Sequence, residues 1–235
     1  MDKNKYLEFS EKVLSISFND LELLITAFTH RSYLNEHKKS VKEHNERLEF
    51  LGDAVLELSV TEYLYANFSE PEGVLTNWRS SLVRTESLAE SANKLKIETF
   101  LRLSKGEEHG TKRARVQILA NTFEAIIGAI YLDQGYEIAN KFISEQIISK
   151  FNKIRKSGIY SDFKSKLQEI AQKTENLTPS YKVIKEEGPD HDKNFKVGVF
   201  VGDKMRGDGE GPSKQSAQQK AAERALKYYE NLKTD

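Results

Sequence analysis

The stretch ILANTFEAIIGAIYLD, residues 118–133, is nearly all apolar, and at that length it reads as a helix buried in a core. Asn121 and Glu124 are its exceptions, one helical turn apart, and Gly128 lies a further turn along the same face. A carboxyl group in such a place is costly unless it is paired, protonated or bound to a cation. The chain must therefore fold around this helix and bring something to meet Glu124.

The segment HNERLEFLGDAVLEL, residues 44–58, supplies a candidate. Glu46, Glu49, Asp53 and Glu57 fall at i, i+3, i+7 and i+11, so a helix places them on one stripe. Leu48, Leu51, Val55 and Leu58 form a second, apolar stripe. A surface helix gains stability by interleaving Lys or Arg with its acids, yet only Arg47 interrupts this run. Gly52 costs helix stability, which points to close approach of another backbone. Packed together, Glu49, Asp53, Asn121 and Glu124 would form an all-oxygen cage suited to Mg²⁺ or Mn²⁺. The residues alone leave one alternative open: Glu124 hydrogen-bonded to Asn121, with the acids of the first helix facing water.

At 235 residues the chain has room for one large domain or two modest ones. Residues 1 to about 152 show helical spacing in 5–15, 20–29, 46–66, 73–94 and 115–150, an all-α pattern. A basic run and Gly158 mark 153–160 as a linker, leaving 161–235 as a second domain. There the order is α-β-β-β-α: a helix capped by Ser161 or Asp162, alternating strands in PSYKVIKEE and NFKVGVFVG, a short third strand with a Gly-rich exit in DKMRGDGEG, and an Ala-rich closing helix. No run of 18 apolar residues offers a membrane span, and the first residues lack a signal-peptide pattern. The absence of cysteine excludes disulfides and thiolate metal sites and fits a cytoplasmic protein. Lys plus Arg and Asp plus Glu both total 36, so any nucleic-acid binding must use arranged patches rather than a bulk positive field. His30, His44 and His109 form no ligand pair or nucleophilic triad, and structural or capping roles are expected of them.

HNERLEFLGDAVL resembles the signature of the ribonuclease III family, and the resemblance continues through FTHRSY (28–33), PEGVLT (71–76), LSKGEE (103–108) and ILANTFEAIIGAIYLD. It implies an all-α endonuclease domain followed by a small α+β double-stranded-RNA-binding domain. The implied activity is Mg²⁺-dependent hydrolysis of double-stranded RNA by a homodimer, with Mn²⁺ as a possible substitute. Each subunit would cut one strand, leaving short 3′ overhangs, in ribosomal and messenger RNA processing. By the same resemblance Glu49, Asp53 and Glu124 match metal-binding acids, and Asp53, Glu124, Glu46 and Glu72 match catalytic acids. Glu72 is expected to act near the partner's site. Phe50 matches an aromatic that packs across the dimer interface, with an ordinary core role as the alternative. One departure stands out, because the family usually has Asp where this chain has Asn121. An amide oxygen can ligate a hard cation, but the site loses a negative charge. The substitution is compatible with a natural variant or an introduced one, and with an active enzyme or a duplex-RNA-binding dimer that cuts poorly.

Residues 162–232 resemble the double-stranded-RNA-binding domain through LQE (167–169), GPDHDKNF (188–195) and PSKQSAQQKAAERAL (212–226). The resemblance implies that Gln168 and Glu169 meet one minor groove and that Pro189 and His191 enter the next. The start of the last helix would address phosphates, with Lys214 and, further along, Lys220. The family usually opens that helix with two lysines and another basic residue a turn later, whereas this chain has Lys214, Gln215 and Gln218. Weaker and less salt-sensitive RNA binding is expected for that reason.

Overall fold

A computed structural model describes residues 3–38, 41–108, 110–152, 163–189 and 193–231. By its internal contacts the chain divides into Met1–Ile154 and Arg155–Asp235. The expected linker, 153–160, and the expected caps Ser161 and Asp162 lie outside the described residues.

The first unit is helical: α1 (Asn4–Phe9, continuing as a wider turn over Ser10–Leu14), α2 (Leu21–Ala27), α3 (Arg31–Glu36), α4 (Glu46–Asn67), α5 (Glu72–Val83), α6 (Thr85–Lys94), α7 (Lys105–Glu108), α8 (Lys112–Gln134) and α9 (Tyr136–Gln146). Two continuous helical runs of the sequence are in fact broken. Arg84 is extended and separates α5 from α6. Gly135 takes φ +82°, which L side chains rarely adopt, and separates α8 from α9. Helix α8 is the centre, with α2, α4, α6 and α9 packed on it and Ile118, Phe123, Ile126, Ile127 and Ile130 buried. By length and mean hydropathy α8 is apolar enough to cross a membrane, although it contains no unbroken run of 18 apolar residues. Its apolar surface is instead covered by the four helices around it.

The packing of α4 on α8 decides the geometry of this unit. The buried stripe of α4 runs through Leu48, Gly52, Val55, Leu56, Ser59, Val60 and Leu64, while Leu58, expected on the apolar stripe, is 57% exposed. A Cβ at Gly52 would stand 1.8 Å from the carbonyl oxygen of Glu124. A Cβ at Gly128 would stand 2.2 Å from the carbonyl oxygen of Leu48. The two helices thus touch backbone to backbone at two glycines, and no side chain fits at either place.

The second unit consists of α10 (Phe163–Glu175), β1 (Ser180–Glu187), β2 (Asn194–Val201), β3 (Lys204–Gly211) and α11 (Lys214–Asn231). The strands form one antiparallel sheet in the order β1-β2-β3. Helix α11 packs on β3 and β2 and against α10, burying Val199, Val201, Ala221, Ala225, Leu167 and Ala171. The end of α10 is pinned by Glu175, which accepts from Arg206 Nη2 at 2.8 and 3.0 Å and from the Tyr229 hydroxyl. The third strand is not short: it has eight residues and contains the glycines expected in its exit. A Cβ at Gly209 would lie 2.4 Å from both Ala217 O and Ala221 N, and one at Gly207 2.5 Å from Ala221 O, so the glycines admit α11. Strand β1 does not alternate in burial as expected. Its residues are exposed except Tyr181, because α11 covers β3 and β2 and leaves β1 at the open edge.

Gly128→Ala is expected to lower the stability of the first unit by about 3 kcal/mol, because backbone rather than a movable side chain fills the space. Urea unfolding of the full chain, followed through Trp78, measures this; a variant as stable as the parent contradicts the backbone contact.

Candidate active site

The glycine contact sets the first turns of α4 against the middle of α8. Glu46, Glu49, Phe50 and Asp53 from α4 and Gln117, Ala120, Asn121 and Glu124 from α8 line one cleft of about 290 Å³, with Thr85 at the start of α6. Five of the expected residues, Glu46, Glu49, Asp53, Asn121 and Glu124, therefore meet. Gln117 and Thr85 join them without having been singled out in the sequence. Glu72 is not part of this cleft. It stands at the start of α5, where it accepts from Thr76 Oγ1 at 3.3 Å and lines a separate recess with Leu64, Tyr65, Leu75 and Arg79. Phe50 is 82% exposed at the cleft, so the alternative of an ordinary core Phe fails.

Charge in the cleft is one-sided, and none of the described residues lining it is Lys or Arg. Burial, reinforced by the charges of Asp53 and Glu49, pushes the Glu124 carboxyl up to about 8. Burial likewise raises Glu49, helped by the charges of Glu46 and Asp53 and opposed by a hydrogen bond from Asn121. The alternative of a Glu124–Asn121 bond is not the arrangement adopted: Asn121 Oδ1 accepts from Gln117 Nε2 at 2.6 Å. Glu46 is turned outward, 3.6 Å from Arg31 Nη1 and 3.8 Å from His44 Nδ1.

These residues fit a hard divalent cation by donor chemistry, since every candidate ligand is an oxygen and the carboxylates lack a cationic side chain among them. Among the described residues no three His, Cys, Asp or Glu side chains already enclose an ion site. Two of the oxygen-bearing groups face other partners, Glu46 toward Arg31 and Asn121 toward Gln117. The histidines behave as structural groups. His30 Nδ1 accepts from Ser32 N–H at the start of α3, and His44 Nδ1 accepts from Glu46 N–H at the start of α4. His109 lies outside the described residues.

In the second unit Gln168 and Glu169 are exposed on α10, Pro189 is exposed after β1, and Lys214 and Lys220 are exposed on α11. His191 lies outside the described residues. Lys214 Nζ stands 5.6 Å from the Phe195 ring centroid, which holds it at the start of the helix. Gln218, at the position where the family usually has a basic residue, has company. Lys164 Nζ donates to its Oε1 at 2.9 Å and lies 4.8 Å from the Tyr181 ring centroid. A cation from α10 thus stands beside the neutral position on α11, a substitution that no local spacing could reveal.

Residues 20–151 match the Ribonuclease-III-like family and residues 163–229 match the double-stranded RNA binding motif. Ribonuclease 3 of Enterococcus faecalis is 46% identical over 231 residues, covering 97% of this chain and 98% of that protein. Ribonuclease 3 of Carboxydothermus hydrogenoformans is 45% identical over 234 residues, covering 99% of each. Among solved structures, the nuclease domain of ribonuclease III from Campylobacter jejuni is 43% identical with a TM-score of 0.53. It covers 60% of this chain and 97% of that one, and a region of it is described as involved in dimer formation.

The raised carboxyl of Glu124 has a consequence for stability. In metal-free solution the folded state keeps a proton there that the unfolded chain releases at the ordinary value of 4.5. That contribution is complete below 4.5 and is lost as pH rises through about 8. The melting temperature in chelator is expected to fall across this window, and Glu124→Gln is expected to flatten the fall. Parallel profiles for the two proteins contradict the assignment.

Proposed function

This chain belongs to the ribonuclease III family, and from that premise we propose that it hydrolyses double-stranded RNA as a homodimer, using Mg²⁺ or Mn²⁺ at the α4–α8 cleft. The observation that carries this reading is the cleft itself, where three carboxylates from two helices face one another without a cationic side chain. Glu49, Asp53 and Glu124 would hold the cation, with Asn121 beside them. The bound cation supplies an activated water and stabilises charge on the phosphate and on the leaving 3′ oxygen. Asp53 is exposed and leaves the cleft open to a strand from solvent, while Arg31 restrains Glu46 at its edge. Acids alone would repel the RNA backbone, so occupancy of the cleft and approach of the strand go together.

Two copies would each contribute one cleft and leave short 3′ overhangs. An uncovered Phe50 beside the acids, together with a recess of about 440 Å³ lined by Leu64, Tyr65 and Leu75, supports a dimer in which Phe50 of each subunit enters the other's recess. Because Glu72 lines that recess, such docking would bring Glu72 of the partner subunit to the cleft it does not reach within its own chain. In the second unit Gln168, Glu169, Pro189 and His191 would meet the minor grooves, and Lys214, Lys220 and Lys164 the phosphates between them. The proposed setting is cytoplasmic processing of ribosomal and messenger RNA.

Long duplex RNA is expected to be cut by the full chain in Mg²⁺, and not in chelator or by Glu124→Ala. Binding without cutting at every Mg²⁺ concentration contradicts the proposal. Phe50→Asp is expected to sediment as a monomer; an unchanged dimer would place the interface elsewhere. Lys164→Ala is expected to weaken duplex binding and to reduce the slope of log affinity against log salt by about 1. An unaltered slope would remove Lys164 from the phosphate contacts.

A further inference from the structure

Building on the duplex-RNA reading of the cleft, we propose that Arg31 binds the strand being cut: its guanidinium leaves Glu46 and pairs with a backbone phosphate beside the cut. Among the described residues Arg31 is the one Lys or Arg in ion-pair reach of an acid that lines the cleft. Its Nη1 stands 3.6 Å from Glu46 Oε1, at the edge of the cleft where α4 begins.

The backbone beneath Arg31 is fixed on both flanks. His30 N–H donates to Arg102 O at 3.1 Å, and Thr29 O accepts from Asn45 N–H at 2.9 Å. Ser32 Oγ accepts from Ser104 N–H at 3.0 Å. Asn45 O in turn accepts from Glu49 N–H at 2.8 Å, which joins the mount of Arg31 to the first turn of α4. The base of the side chain is thereby set relative to the acids.

The tip has no such restraint. A separation of 3.6 Å is too long for a hydrogen bond, so Glu46 does not direct the guanidinium. The Arg31 side chain is 65% exposed and that of Glu46 50%, so water weakens their attraction. Among the described residues no other group pairs with Arg31. A fixed base and a loosely held, solvated tip suit a group that changes partners.

A phosphate is the better partner. The guanidinium fork matches two phosphate oxygens at once, where Glu46 offers it one long contact. An RNA strand carries a phosphate on every nucleotide, and a cation among Glu49, Asp53 and Glu124 would neutralise charge only where it sits. Glu46 lies one helical turn before Glu49, so Arg31 stands where a flanking phosphate, rather than the one being cut, meets the rim. Exchange of partners frees Glu46 to water and places a positive charge on the strand.

The test is single-turnover cleavage of a short duplex RNA by the full chain in Mg²⁺, with each phosphate flanking the cut replaced in turn by an uncharged methylphosphonate. On the all-phosphate duplex R31A is expected to need about fivefold more protein for half-maximal rate, with its plateau rate nearly unchanged. At one methylphosphonate position the parent is expected to show that same loss and R31A to lose nothing further. Equal penalties for the parent and R31A at every position overturn the inference and leave the duplex-RNA reading standing. An E46Q background separates contact with RNA from a brace on Glu46. The loss caused by R31A is expected to persist there, and its disappearance overturns the inference. A parent that cuts no duplex at any Mg²⁺ concentration overturns the duplex-RNA reading and the inference with it.

Discussion

The contact between Gly52 and Gly128 is the constraint on which the first unit depends. Helices normally keep their axes about 8–10 Å apart because side chains intervene. Here each glycine accepts the backbone of the opposite helix, with Glu124 itself contributing the carbonyl that a Cβ at Gly52 would strike. The acids flank this contact: Glu49 and Asp53 bracket Gly52, and Glu124 stands one turn before Gly128. Close approach of backbone and convergence of charge are therefore one arrangement. A larger residue at either glycine would part the helices and separate the carboxylates together.

That convergence opposes folding and favours a ligand. Burial and mutual repulsion hold Glu124 protonated near neutral pH, so the proposed cation would compete with a proton there. The exposed rim of Asp53 and Phe50 keeps the cost bearable by leaving the acids in partial contact with water. The second unit solves a different problem with the same device. Gly207 and Gly209 let α11 lie against β3, and the sheet face so covered leaves β1 as an open edge.

Much of this was legible in the sequence because it is periodic. The acid stripe of α4, the Asn121–Glu124–Gly128 face of α8 and the closeness implied by Gly52 all follow from helical spacing. The misreadings have physical causes. Glycines in β3 resemble a turn until the helix pressing on them is known. Leu58 continues an apolar rhythm, yet the true stripe drifts through Ser59 and Val60. Lys164 reaches Gln218 from 54 residues away, and Gln117 reaches Asn121 on an exposed face, contacts that no periodicity announces. Glu72 lines a recess apart from the cleft, a placement that helical spacing within one segment does not reveal.

The central claim is that the glycine contact sets the spacing at which the acids work. Its most direct test is duplex-RNA cleavage by Gly128→Ala, measured against Mg²⁺ concentration at a temperature where the variant is folded and binds RNA normally. The account predicts a large loss of turnover and a higher Mg²⁺ requirement. Cleavage indistinguishable from the parent at equal Mg²⁺ would contradict it.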